Sequence, residues 1–200
     1  NLFLCPFDTG AEELVPGVVQ LLSSGHNEGK HNECRINCLC CSPDGYFFVT
    51  GASDETVILW DYRTDKQGRL ALHTLQLASS AMAMDWGASD DAALTLIGMI
   101  LKSGNLQILS VLNATSLTEV STISGKGCGT AIRFAPDLKF VAAGRRNGRL
   151  DLYGGSGNGL YEHLRGFSAH SGPCCALDWS CPHVAPSSTA SRASSSGGVP

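Results

Sequence analysis

Apolar residues along this chain come in short, strand-length runs, and each run stops at a turn signal. The pattern is clearest from Ile36 to Asp61. INCLCC leads into Ser42-Pro43-Asp44-Gly45, then Phe47-Phe48-Val49-Thr50, then the polar break Ala52-Ser53-Asp54-Glu55, then Val57-Ile58-Leu59-Trp60 closed by Asp61. Pro43 presets φ in the first turn and Gly45 is free to take φ > 0. The spacing predicts strands over 35–41, 46–52 and 56–62, and a fourth over 69–77, where Leu70, Leu72, Thr74 and Gln76 alternate with Ala71, His73, Leu75 and Leu77.

The same order recurs downstream. A second unit predicts strands at Ala81–Trp86, Ala93–Leu101, Leu106–Leu112 and Leu117–Ile123, with turns at Gly87–Asp91 and Lys102–Asn105. A third predicts strands at Thr130–Phe134, Phe140–Gly144, Arg149–Tyr153 and Leu160–Phe167, with Ala135-Pro136-Asp137-Leu138 as one turn and Arg146-Asn147-Gly148 as another. Asn-Gly is a strong hairpin signal because both residues tolerate φ > 0. A fourth unit begins at Ala169-His170 and reaches Ser180. Upstream, Asn1–Leu4 and Val18–Leu22 read as strands and Ser23–Glu33 as a polar loop. The fold class is all-β.

Trp60, Leu109 and Tyr153 hold the equivalent place, at spacings of 49 and 44 residues. With the Ser-Pro-Asp-Gly turn, Asp54 six residues before Trp60 and the Trp60-Asp61 ending, the first unit resembles a WD repeat, one blade of a β-propeller. The resemblance implies a partial β-propeller of four-stranded antiparallel WD-type blades in an incomplete ring. Residues 1–30 are then the end of a preceding blade and a loop, and 31–180 hold about three and a half blades. Residues 181–200, CPHVAPSSTASRASSSGGVP, carry too little apolar surface to offset the entropy of ordering and are expected to be disordered.

The resemblance also implies a hydrogen-bonded tetrad: His31, Thr50, Asp54 and Trp60, with His26 competing for the histidine place. A buried indole N–H needs an acceptor, which a hydroxyl backed by an Asp–His pair supplies. The set is reminiscent of a Ser-His-Asp triad, but the repeat explains every spacing, so the structural reading is favoured and no catalytic residue is assigned. The other units depart from it. Ser103 and Asn147 stand near the Asp position and Leu109 and Tyr153 at the Trp position. The fourth unit keeps only His170.

Hydrophobic content of 43% with 16% charged residues is that of a globular chain, and no apolar run spans a membrane. Net charge of −4 argues against a broadly basic nucleic-acid binder. The nine Cys do not form a disulfide framework by pattern, and a reducing, cytoplasmic setting is expected. Cys34, Cys38, Cys40 and Cys41 near His26 and His31 invite a zinc reading. However, Cys38 and Cys40 fall on one strand face and Cys41 on the other, so no metal or other cofactor is expected. Cys174-Cys175 divides between faces in the same way. Gly125–Gly129 and Gly154–Gly159 lack phosphate-loop spacing and read as inter-strand loops. Asn113-Ala114-Thr115 fits a glycosylation sequon, a triplet that also arises by chance.

One charge bias stands out. Lys126, Arg133, Lys139, Arg145, Arg146 and Arg149 surround a single acid, Asp137, between residues 126 and 150. This is either a solvated rim or a docking patch for an acidic partner.

The unit RFAPDLKFVAAGRRNGRLDLYG, following a degenerate unit and preceding His170-Ser171 and Leu177-Asp178-Trp179, is similar to the echinoderm microtubule-associated protein-like family over roughly 31–180. That resemblance implies a non-enzymatic scaffold binding tubulin or microtubules, located in the cytoplasm on the cytoskeleton. The alternatives are a WD-repeat adaptor of another complex, in signalling, trafficking or RNA processing, and, more remotely, a thiol- or metal-dependent enzyme. Protein partners are expected, without nucleic acid or membrane.

Overall fold

The computed structural model describes residues 2–4, 20–22, 35–61, 71–89, 94–112 and 116–180. His26, His31, Cys34, the Asn113–Thr115 triplet and the 181–200 tail lie outside the described residues.

Strand β1 (Leu2–Leu4) pairs antiparallel with β2 (Gln20–Leu22). Three four-stranded antiparallel sheets follow. The first sheet holds β3 (Ile36–Cys41), β4 (Phe47–Ala52), β5 (Thr56–Asp61) and β6 (Ala71–Gln76). The second holds β7 (Ala81–Ala88), β8 (Thr95–Leu101), β9 (Leu106–Leu112) and β10 (Ser116–Ile123). The third holds β11 (Gly129–Phe134), β12 (Phe140–Arg145), β13 (Arg149–Gly155) and β14 (Tyr161–Ser168). Within each sheet the strands lie in chain order, so every connection is a hairpin. Trp60, Leu109 and Tyr153 sit at one register, opposite Phe48, Ile97 and Val141 on the neighbouring strand. This is the architecture of a partial β-propeller.

The turns repeat as the strands do. Ser42 N donates to Phe47 O and Gly45 N to Ser42 O, both at 2.9 Å. In the third blade Ala135 N donates to Phe140 O at 2.8 Å and Leu138 N to Ala135 O at 2.9 Å. Gly45 has φ 74° and Leu138 takes the same left-handed place at φ 56°. At the other end of each sheet, Asp54, Ser103 and Asn147 perform one task. Each side-chain oxygen accepts the amide two residues on: Thr56 N at 3.0 Å, Asn105 N at 3.4 Å and Arg149 N at 3.2 Å. Such short side chains stabilise a turn by mimicking a backbone carbonyl. Gly148, at φ 79°, is required twice over, since a Cβ there would also meet the carbonyl of His170.

Stacking of the sheets makes two cores. Between the first and second blades lie Val49, Val57, Leu59, Met84, Trp86, Ile97, Met99, Leu101 and Leu109. Between the second and third lie Leu96, Ile100, Leu106, Ile108, Ile132, Phe134, Val141 and Tyr153. Successive residues of β8 therefore serve opposite cores, as the period-2 alternation of a strand requires. Full burial of such a side chain is worth about 1.5–3 kcal/mol, so the sheets gain most of their stability from one another.

Two boundaries differ from the sequence reading. Gly87 and Ala88, expected in a turn, continue β7, because Gly87 packs under Phe134 and Leu138 where a Cβ would not fit. Residues 169–180, read as the start of a fourth unit, form no regular strand. They lie against the inner edge of the third blade: Thr130 Oγ1 donates to Cys174 O at 2.6 Å, and Trp179 Nε1 to Arg133 O at 3.2 Å. Cys174 is buried and Cys175 exposed.

Candidate functional site

Trp60 lies flat on Phe48, ring centroids 5.8 Å apart, and is almost fully buried. Its Nε1 donates to Thr50 Oγ1 at 2.8 Å. Thr50 is fully buried. Asp54 Oδ1 accepts the Thr56 hydroxyl at 2.7 Å as well as its amide. Thr50, Asp54 and Trp60 thus share the first blade, while His31 lies outside the described residues.

The third blade has no Trp and builds a different polar cluster. Arg145 is 0% exposed, the largest fully buried side chain among the described residues. Its Nε donates to Asp151 Oδ2 at 2.8 Å and its Nη2 to Tyr153 Oη at 2.8 Å. Its Nη1 reaches out of the blade to the carbonyls of Gly104 and Gly127, the latter at 3.1 Å. Arg149 Nε donates to the other oxygen of Asp151 at 2.7 Å, and His163 Nε2 lies 3.3 Å from that same oxygen. Arg145 spans both carboxylate-bearing strand and neighbouring loops because its planar fork carries five donors.

Burial alone would raise the Asp151 pKa, but hydrogen bonds from Arg149, Arg145 and His163 outweigh it and hold the carboxyl below its ordinary value. A carboxyl depressed in the folded state contributes stability above its unfolded pKa of about 3.9 and loses it as pH falls through the folded value. Acidification below about pH 4 is therefore expected to cost the wild type more of its own pH 7 stability than it costs Asp151→Asn, which lacks the titrating carboxyl. Denaturation midpoints measured across an acid series check this, and parallel curves would refute it.

The six-residue basic patch does not exist as one surface. Arg145 is internal, and Arg145 and Arg149 converge on Asp151. Alternation is the reason: Arg145 follows Val141 and Ala143 on the inward face of β12. Arg133 and Lys139 lie toward the opposite end of the sheet. There Arg133 pairs with Asp85 of the second blade at 2.6 Å and Lys139 with Asp137 at 3.8 Å. Lys126, Arg146 and half-exposed Arg149 remain together.

The innermost strands β3, β7 and β11, with residues 175–177, line a cleft of about 400 Å³. It carries Cys38, Cys40, Cys41, Met84 and Asp85. Desolvation pushes the Cys38 thiol up to about 12, against a weaker lowering by its hydrogen bond to Gly51 O. Burial likewise holds Cys40 well above its ordinary value. Such thiols are poor nucleophiles, because the thiolate is the reactive form. No three His, Cys, Asp or Glu among the described residues gather as metal ligands. Asp85 instead ties two blades, accepting from Arg133 Nη1 at 2.6 Å and from Phe134 N at 2.8 Å. Gly125–Gly129 and Gly154–Gly159 border inter-strand connections. Sequence reading missed the Arg145–Asp151–Tyr153 cluster. The available signal was a charge at each of two buried strand positions.

Residues 20–61 match the family described as WD domain, G-beta repeat. The matched span contains both candidate histidines. The chain is 26% identical over 138 residues to WD repeat-containing protein 82 of Drosophila melanogaster, covering 66% of this chain and 40% of that protein. Its fold is similar to the β-propeller domain of Cps50 (Swd1) of Myceliophteria thermophila, with TM-score 0.58 and 11% identity over 73% of this chain and 47% of that one. It is also similar to the periplasmic gluconolactonase PpgL of Pseudomonas aeruginosa, with TM-score 0.54 and 21% identity over 68% and 40%. The chain thus carries a WD repeat on a propeller fold and spans less than half the length of these proteins. The narrower resemblance to the echinoderm microtubule-associated protein-like family finds no support in these matches.

Proposed function

We propose that this chain is part of a non-enzymatic protein-interaction scaffold, a WD-repeat adaptor working in the cytoplasm. The observation that carries this reading is the inward use of its polar groups. Thr50 serves the indole of Trp60, and Arg145, anchored by Asp151, serves Tyr153 and two loop carbonyls. The Thr50 hydroxyl and Asp54 carboxylate of the triad-like set are engaged in holding an indole and a turn. The loops at the sheet ends remain for recognition, as is usual where a rigid scaffold presents variable connections. A tubulin partner rests on the sequence resemblance alone.

The test uses the natural full-length protein. It is assayed against a panel of sugar lactones and, in parallel, for partners retained from cell extract and for pelleting with microtubules. A partner held at fixed stoichiometry with no lactone turnover above the buffer blank is the expected result. Saturable lactone hydrolysis would overturn the non-enzymatic reading. Pelleting would select tubulin among the partners.

A further inference from the structure

We infer that the loops at one end of the second and third blades form a preorganised cationic rim that docks an acidic segment of a partner protein. This rests on the scaffold reading and names the surface through which it acts.

The rim consists of neighbouring loops stitched into one surface. Lys102 N donates to Ser80 O at 2.8 Å, and Arg146 N donates to Cys128 O at 2.9 Å. Loop 102–105 meets loop 124–128 where Gly125 N donates to Asn105 Oδ1 at 3.3 Å. Loop 146–148 meets the next connection where Ala169 N donates to Gly148 O at 3.0 Å. Beneath them the buried Arg145 holds the carbonyls of Gly104 and Gly127 together. The loops are therefore fixed before any partner arrives, which lowers the ordering cost of binding.

The charge on this surface has one sign. Residues 102–105, 124–128, 146–148 and 169–173 contain no Asp or Glu. Lys102, Lys126 and Arg146 are exposed, and none forms an ion pair among the described residues. Just below, Arg145 and Arg149 share the single carboxylate of Asp151, leaving one further positive charge, and Arg149 is 42% exposed. The whole chain carries net charge −4, so this concentration runs against the overall balance. Charges of one sign on touching loops act jointly on a ligand that spans them. The equivalent loop of the first blade bears Asp54 and Glu55, so the cationic stretch ends there and sets a direction for the bound segment. A flexible acidic peptide fits this rim better than a nucleic acid. The rim carries no Phe, Tyr or Trp on which successive bases would stack.

Binding of a fluorescein-labelled Glu-Gly repeat peptide to the full-length protein, followed by anisotropy, tests the proposal. A Lys-Gly peptide and oligouridine RNA are run alongside. The wild type is expected to bind the Glu-Gly peptide in preference to both, and more weakly as salt rises. Combined Lys102→Glu, Lys126→Glu and Arg146→Glu is expected to weaken binding about tenfold or more. The Gln versions of the three changes should give an intermediate loss, and Lys139→Glu at the other end of the sheet should give none. Thermal melts of each variant establish that these exposed changes leave the fold intact. Absence of peptide binding, binding indifferent to the triple reversal, or tighter binding of the RNA would each overturn the proposal. A partner from extract that survives the triple reversal would sink the rim and leave the scaffold reading standing. Lactone turnover would do the reverse.

Discussion

Replacing Arg145 with Ala is expected to lower the unfolding free energy by about 3–5 kcal/mol, the cost of breaking a buried ion pair from one side. The loss has three parts. Asp151 keeps its burial and is left to Arg149 and His163, both of which lie partly in solvent. Tyr153 Oη loses the donor at 2.8 Å. The carbonyls of Gly104 and Gly127 lose the guanidinium that joins the second blade's turn to the following loop. Urea denaturation followed by circular dichroism measures the change. Arg145→Lys should recover only part of it, since a single ammonium cannot reach four acceptors in a planar fork. A loss below about 1 kcal/mol for the Ala variant, the level of an exposed pair, would show that the cluster carries no weight.

Trp60→Ala is expected to cost about 3–5 kcal/mol, as for other large aromatic side chains removed from a core. The ring stacks on Phe48 and is 3% exposed, so truncation opens a cavity beside the first sheet. Trp60→Phe separates packing from polarity. It keeps much of the apolar contact and removes the Nε1 donor to Thr50, and should cost about 0.5–1.5 kcal/mol for the hydrogen bond beyond its smaller volume. Equal losses for the two variants would mean that the ring's bulk is irrelevant, against its burial.

The blades were legible because their punctuation is local. Ser-Pro-Asp-Gly, Asn147-Gly148 and the returning apolar runs fix turns whatever lies around them, and the observed strands follow those marks closely. Gly87 was misread for the opposite reason. Glycine signals a turn in isolation, but here it admits the Phe134 ring of the next blade, a contact between residues far apart in sequence. Thr50 and Trp60 were identifiable from the repeat, whose spacing encodes the pairing. Arg145 was not, because clustering of like charges along the chain was read as clustering in space. Its neighbours Ala143 and Val141 carried the correction two and four residues back, and Asp151 supplied the matching charge on the facing strand. The interdependence of Arg145, Gly104 and Gly127 has no local trace at all, since it joins segments that meet only when blades stack.

Strand β8 places Leu96 and Ile100 in one core and Ile97, Met99 and Leu101 in the other. In a strand with one wet face, a register slip exchanges core for solvent. In β8 it would exchange two cores that differ in shape, one facing Trp86 and the other facing Phe134 and Tyr153. No compensating change on a single neighbour repairs that. An insertion or deletion within β8 would therefore have to be matched on both flanking blades at once.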